Sequence, residues 1–511
     1  MKIYRRLCDG LARHPRVTMF GALLLAVAVF LIIVLSKIGA WSVWFDESFS
    51  AFMIKQNFAS IWRYTALDVN APLYYFLLKG WSLIVGHSDV ALRLLSVMFG
   101  VGALIGGFFL SKRLFGRRVG YFTLLFLTLS PMLLRYSTEM RCYTLVIFLL
   151  ILATDVFVVA SAKSSHKLWL LYGLLIALAM WTHYYAALVI VAHLLWRKVT
   201  TKKFFTRDFV AGLIFAAVLF LPWLPIMVKQ LTTVQVSGFW IAPFSLDTVG
   251  NFFGEMTVYN THDRISGWVA LGVIAALILM VMLLVKGRRA LAKKLQPNLL
   301  LILLIVLLPP LVLAVLSMPP LRPMFINRYI IASMLMFSLV VALAVGVKLR
   351  SRRLRIVQAI FLTIMLLLAA VGVRNVLHFG NYNFDTNSVS MAKSLMAEIA
   401  TKSSQRTIVV AENPWIFYDA DVYATTKNPV YFLNNSTKYE YGSLAMLQDD
   451  HAHKIVDLAK FVTTGQQVWF ISSSADGALT PPAKNWQLLR TILVTDPIDG
   501  QKSSAAEYLV E

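Results

Sequence analysis

Apolar stretches of nearly constant length recur along the chain, near residues 17–36, 90–111, 119–134, 143–162, 209–228, 266–285, 298–317, 329–347 and 356–373. Each is close to the ~20 residues that a helix needs to cross a bilayer, or a little shorter. Residues 168–196 are also nearly unbroken. Lys163 and Lys167 flank them on one side, and Arg197, Lys198, Lys202 and Lys203 on the other. Two short helices turning at Thr182-His183-Tyr184 bring the chain back to its starting side, which makes about eleven spans in all. A secretory leader has a single short apolar core, whereas here the runs continue almost to residue 373.

Beyond residue 373 the pattern changes. Thr407–Glu412, Pro429–Leu433 and Gln467–Ser472 are short β-branched or aromatic runs that suit buried strands. Gly442–Asp449 and Ala452–Phe461 show helical spacing between them. This alternation predicts a small three-layered α/β domain over 388–511, joined to the membrane part (1–373) by a linker at 374–387. No Gly-rich phosphate loop follows any of its strands, so the domain reads as one for recognition or scaffolding.

Charge sets the topology. The chain carries a formal +23, and only 14% of its 511 residues are charged against 59% hydrophobic. Residues 1–373 hold 37 basic and 11 acidic side chains, and residues 374–511 hold 11 and 14. The excess therefore lies between apolar runs and not on a basic stripe of a soluble face, which argues against nucleic-acid binding. Clusters at Lys2–Arg16, Lys112–Arg118, Lys163–Lys167, Arg197–Arg207, Lys286–Lys294 and Lys348–Arg355 fall on alternate sides. By the positive-inside rule the N-terminus is cytoplasmic and the C-terminal domain external. Cys8 and Cys142 are the only cysteines, too few for a disulfide framework.

The first external loop, 41–89, holds the candidate chemistry. Trp41 and Trp44 suit the headgroup layer. Phe45, Phe49 and Phe52 then form an i, i+4, i+7 stripe, which predicts a helix lying in the membrane interface. Asp46 and Glu47 sit on that helix, where two adjacent acids are either used or merely solvated. Asp68-Val69-Asn70-Ala71-Pro72-Leu73-Tyr74-Tyr75 follows, and 73–86 is too short to span comfortably, so a re-entrant or surface helix starting near Pro72 is expected. Tyr74 and Tyr75 also suit a plain aromatic belt. A second outer turn gathers Arg135, Glu139 and Arg141, of which a Glu–Arg structural pair is the simpler reading. Arg93 and Arg328 fall at the same face. In the loop 229–265, Trp240, Glu255, His262 and Asp263 carry no spacing that separates them from solvated residues. Asp155 and His193 lie inside spans and suit polar contacts between helices.

In order, Trp44-Phe45-Asp46-Glu47, Asn70-Ala71-Pro72-Leu73-Tyr74-Tyr75, Ala91-Leu92-Arg93-Leu94-Leu95-Ser96, Tyr136-Ser137-Thr138-Glu139-Met140-Arg141-Cys142-Tyr143 and Thr182-His183-Tyr184 resemble bacterial glycosyltransferases of the GT-C superfamily. The likeness is to the protein mannosyltransferase (family 39) and aminoarabinose-transferase branch. It covers roughly residues 40–190, with Arg328-Tyr329 as a weaker match. The resemblance implies a GT-C-type multi-pass α-helical membrane protein of the bacterial cytoplasmic membrane. Such an enzyme transfers a sugar from a polyprenyl-phosphate donor, with inversion, to an acceptor glycan, lipid or protein outside. It places Asp46 as the catalytic acid residue with Glu47 as its support. Asp68, Asn70, Tyr74, Glu139, His183 and Tyr329 become substrate-site candidates. Relatives of the aminoarabinose branch have Arg where this chain has Phe49. They also have Lys before paired prolines, and the other branch often has His-Pro-Pro-Leu-Tyr, where this chain reads Asn70-Ala71-Pro72. Arg93, Arg141 and Arg328 are therefore the donor phosphate candidates.

The residue types fit that chemistry. A polyprenyl phosphate leaves as an anion, so it needs cations, and the acceptor hydroxyl needs one base. Arginine suits phosphate geometry. A glycoside hydrolase places two carboxyls about 5–10 Å apart across the sugar, whereas Asp46 and Glu47 would point about 100° apart on a helix. A divalent cation could share the phosphate charge, but no Asp-x-Asp or His cluster in the loop demands one. A transporter or lipid-linked sugar flippase is the rival class, and it usually shows internal repeats and mid-bilayer charges. A membrane scaffold presenting the external domain would leave the first loop unexplained.

Overall fold

The computed structural model of the chain describes residues 15–163, 165–237, 241, 243–259, 267–288, 293–380, 391–403, 405–433, 447, 450, 452–483, 486–497 and 500–511. Helix α1 (Pro15–Leu35) leads into three short helices, α2 (Phe45–Lys55), α3 (Phe58–Leu67) and α4 (Leu73–Val85). Long α5 (Asp89–Phe115), the pair α6 (Arg117–Thr128) and α7 (Pro131–Ser137), and α8 (Tyr143–Lys163) follow. Then come α9 (His166–Thr182), α10 (Ala186–Thr200), α11 (Arg207–Phe220), α12 (Leu224–Ser237) and α13 (Leu246–Val258). The helical part ends with α14 (Gly267–Arg288), α15 (Gln296–Leu316), a 3-10 turn (Asn327–Ile330), α16 (Ile331–Gly346) and α17 (Arg352–Phe379).

Among the described residues seven helices are long and apolar enough to cross a membrane, or up to nine if each bent pair is one span. The apolar runs expected at 119–134 and 209–228 fall on the bent pairs: α6 and α7 meet at 53°, α11 and α12 at 68°. Pro131 opens α7 and Pro222 lies in the second break. A proline ring clashes with the preceding turn and donates no N–H, so the helix turns there. The break at 183–185 between α9 and α10 falls where the sequence places it. Helices α9 and α11 are held close by glycine: a Cβ on Gly173 would lie 2.3 Å from the Gly212 oxygen, the small-residue contact that lets membrane helices approach. Helix α16 is buried over its whole length and forms the axis of the bundle. By contrast α1 exposes Leu24, Leu25 and Ile32, and α14 exposes Leu271, Ile278 and Val285. Such outward apolar faces suit lipid, not water. The polar residues inside spans make the expected contacts: Arg113 pairs with Asp155 at 2.6 Å, and His193 meets Thr154 and Tyr172.

Helix α17 continues to Phe379, so the stretch expected as a linker from Arg374 begins as helix; residues 381–387 lie outside the described residues. Beyond it, α18 (Ala392–Lys402), β1 (Ile408–Ala411), α19 (Pro414–Asp421), β2 (Val430–Leu433), β3 (Lys454–Ile455), α20 (Leu458–Phe461), β4 (Gln467–Ser472), β5 (Trp486–Thr495) and β6 (Lys502–Val510) build one mixed sheet of order β3-β2-β1-β4-β6-β5. Strands β1, β2, β3 and β4 run parallel, and β6 joins β4 and β5 antiparallel. Both faces are covered. Val409, Ala411, Trp469 and Ile471 pack in the same apolar cluster as the membrane helices, while Val410, Val468 and Phe470 form a second core behind them. Two-sided burial explains the near-continuous apolar runs of β1, β2 and β4. The expected helix at Ala452–Phe461 is corrected: its first part is β3, and only Leu458–Phe461 is helical. The one expected at Gly442–Asp449 lies mostly outside the described residues.

Candidate active site

Helix α2 starts at Trp44, whose carbonyl accepts from the Glu47 and Ser48 amides. Asp46 and Glu47 occupy its first turn and Lys55 its last, the charge placement that a helix dipole favours. The predicted Phe45–Phe49–Phe52 stripe is present, but lipid does not cover it. The Tyr418 ring of α19 stands edge-on to all three, with centroids 5.8, 6.4 and 5.2 Å away, and Phe49 also meets Tyr75. Phe49 and Phe52 are fully buried, and burying a phenylalanine contributes about 1.5–3 kcal/mol. The expectation of an interfacial helix is thus corrected, because α19 of the C-terminal domain supplies the apolar cover.

The two acids are separated by their surroundings. Glu47 is wholly buried. It accepts from Arg93 Nε and Nη2, each at 2.8 Å, and from the Met140 amide at 3.0 Å. Arg93 spends its remaining donors on the carbonyls of Ile38, Trp41 and Ser42 and is 1% exposed. All five N–H groups are engaged, so Arg93 is removed from the phosphate candidates, and Glu47 is a buried structural partner and not a second available carboxylate. Asp46 differs. Its side chain is 21% exposed and lies 3.5 Å from Arg141 Nη2.

Arg141 also donates from Nη1 to the Asp46 carbonyl and to the Tyr75 hydroxyl, while its buried Nε has no hydrogen-bond partner among the described residues. Tyr75, set aside in the sequence as a belt residue, thus reaches this arginine. Tyr74 does not: its hydroxyl faces Ser96 at 3.1 Å, which corrects its candidacy. Asp68 is buried, and burial raises its pKa, with the Asn70 amide and Arg141 acting against that shift. The Asp68–Asn70 turn is pinned by Gln230, which donates to the Thr65 and Asn70 carbonyls, and by Tyr184.

Glu139 is also corrected. It is fully buried and pairs with Arg135 at 2.5 Å, and Arg135 donates to the Tyr259 hydroxyl; burial raises the Glu139 pKa and Arg135 opposes it. Arg328, in the 3-10 turn, lies 5.6 Å from the Trp44 ring and is close enough to act electrostatically on Glu139 and His183. His183 is lowered to about 3 by burial, then by Arg141 and Arg328, so it is neutral near pH 7. Around it stand Tyr143, Tyr185 and Tyr329, the last two stacked at 5.1 Å. Tyr185 was missed in the sequence, although it adjoins the quoted Thr182-His183-Tyr184 turn. Glu255 falls near Tyr136, while Trp240, His262 and Asp263 lie outside the described residues. Among the described residues no three His, Cys, Asp or Glu side chains gather as a metal site.

Residues 69–226 match the model of the family described as dolichyl-phosphate-mannose-protein mannosyltransferase. No curated protein matches the chain at a significant level. Among solved structures, ArnT from Cupriavidus metallidurans bound to undecaprenyl phosphate is similar, with TM-score 0.61 and 12% identity over 96% of this chain and 98% of that one. The apo form of the same protein gives 0.58 and 13% over the same shares. The arabinofuranosyltransferase AftD from Mycobacteria gives 0.51 and 13%, over 96% of this chain and 40% of that one. The chain therefore has the GT-C fold of ArnT, with the sequence pattern of the protein mannosyltransferase family over residues 69–226.

Proposed function

We propose that this protein is an inverting glycosyltransferase, moving a sugar from a polyprenyl-phosphate donor to an acceptor hydroxyl at the outer face of the cytoplasmic membrane. The observation that carries this reading is the split fate of two adjacent acids. Glu47 is sealed by Arg93, whereas Asp46 keeps a partly exposed carboxylate beside Arg141. A single available base next to a cation suits transfer from a lipid phosphate. Asp46 takes the proton of the acceptor hydroxyl as that oxygen attacks the anomeric carbon. The bond from that carbon to the phosphate oxygen breaks on the opposite side, and the electron pair leaves with the phosphate. Arg141, with a buried Nε available, and Arg328 receive the developing charge. Tyr185 and Tyr329 offer ring faces to the sugar. The lipid explains the fold: its tail stays in the bilayer, so the reacting carbon waits at headgroup depth. The ArnT structure bound to undecaprenyl phosphate supports a lipid phosphate of this kind.

The test is the full-length protein in nanodiscs with undecaprenyl phosphate carrying mannose, arabinose, galactose or an aminosugar. Asp46→Asn is expected to abolish transfer from whichever donor the wild type uses, at unchanged melting temperature. Retained turnover would sink the assignment.

A further inference from the structure

The external domain does more than sit beside the site. Helix α19 holds α2 at both ends: Ser48 in its first turn donates to Asp419, and Lys55 at its last residue donates to Asp421 Oδ2 at 2.6 Å and to the Asp421 carbonyl at 3.2 Å. Tyr418 fills the space between, against the three phenylalanines. The strand of chain that leads into α2 is held from two sides. From the membrane side, Arg93 binds the carbonyls of Ile38, Trp41 and Ser42. From the external side, Lys393 Nζ donates to the Gly39 carbonyl at 2.7 Å and to Asp89 at 2.9 Å. The Lys393 amide donates to Ser42 Oγ, and the Val43 amide donates to the Tyr423 hydroxyl at 2.8 Å. Asp89 joins the two grips, since it lies 4.0 Å from Arg93 Nη1 and accepts from Tyr423.

We infer that the external domain is a positioning element of the active site: Lys393, Tyr418, Asp419, Asp421 and Tyr423 fix where α2 presents the Asp46 carboxylate. This rests on the proposed role of Asp46. None of the five reaches the reacting atoms; they act through the helix backbone. A base must be held within a fraction of an ångström of its productive place, and α2 has only 11 residues, too few to be stable alone. Its own first turn cannot supply that precision. The partner for the helix is therefore built into the same chain, about 370 residues later in sequence.

The charge pair Lys55–Asp421 gives a test outside the proposed catalytic groups. Lys55→Asp and Asp421→Lys are each expected to lower kcat by about 10- to 100-fold, with donor KM little changed. The double variant, with the charges exchanged, is expected to recover most of the loss. Hydrogen exchange over residues 38–55, which needs no substrate, should rise in each single variant and fall back in the double. Wild-type kcat and exchange in the single variants, or loss of activity only in proportion to loss of folded protein, would overturn the inference. Failure of the double variant to recover would do the same. If Asp46→Asn stays active, the parent reading fails; if it is inactive while the Lys55 and Asp421 variants behave as wild type, only the positioning role fails.

Discussion

Arg93 holds Glu47 through two parallel hydrogen bonds, Nε to Oε1 and Nη2 to Oε2, each 2.8 Å long. Both side chains are cut off from solvent, at 1% and 0% exposure. Such a pair resists loss of one partner far more than loss of both, because the survivor is a buried charge without compensation. Arg93→Leu should lower stability by about 3–5 kcal/mol, read as a drop in melting temperature. Arg93→Lys should also destabilise, since three ammonium donors cannot replace five guanidinium donors in a fixed fork. A melting temperature within a degree or two of wild type for Arg93→Leu would show that the pair does not hold the loop.

In the proposed mechanism Arg141 meets the donor phosphate. Arg141→Ala should raise donor KM by about tenfold or more, the value of a charge-assisted phosphate contact, and change acceptor KM much less. Initial rates with each substrate varied in turn separate the two. An unchanged donor KM would move the phosphate elsewhere.

Asp68 makes a prediction with opposite signs for stability and activity. Burial raises its pKa in the folded protein. Relative to an unfolded value of about 3.9, stability is therefore lost as pH rises through the folded value, because ionisation is then easier in the unfolded chain. Asp68→Asn should flatten that part of the stability profile and melt no lower than wild type at pH 8. Turnover should nevertheless fall by about tenfold if the carboxyl contacts substrate beside Asp46 and Arg141. Full activity in a more stable variant would make Asp68 a structural group.

His453 offers a pH test in the C-terminal domain alone. A hydrogen bond to Asp450, at 3.0 Å, raises its pKa despite partial burial. The stabilisation is complete below the unfolded value of about 6.5 and is lost as pH rises through the raised folded value. Asp450→Asn should remove this component, so the melting temperatures of wild type and variant should converge at high pH. Curves that stay parallel would show that the pair carries no linked proton.

The long helices of the membrane part could be read from the sequence because a bilayer imposes a length that each apolar run meets separately. The turn at His183 and the helix after Pro72 belong to the same local logic. What failed was direction and distance. Tyr74 and Tyr75 are neighbours, yet one faces Ser96 inside the bundle and the other faces Arg141; a short helix of 13 residues gives no strong pattern to separate them. Arg93 and Arg141 looked alike as outer-face cations, and only the fold shows that one is consumed by backbone carbonyls. The stripe of Phe45, Phe49 and Phe52 did predict an apolar cover, but Tyr418 leaves no mark in the local sequence around it. Strands β5 and β6 were missed for a different reason. Strand β5 exposes Leu488, Leu489 and Leu493 around a bulge, so its residues lack the clean alternation of a half-buried strand.

The order of strands has a temporal consequence. Strand β6 pairs with β4 in the interior of the sheet that carries α19. That sheet cannot close until residues 502–510 have been made. While the protein is being made, its membrane helices can insert and meet lipid, yet the grip on α2 is still unfinished. If the sheet positions α2 as inferred, transfer begins only when residues 502–510 are threaded between β4 and β5. A nascent chain stalled before Lys502 should sit in the membrane with its helices packed and transfer nothing.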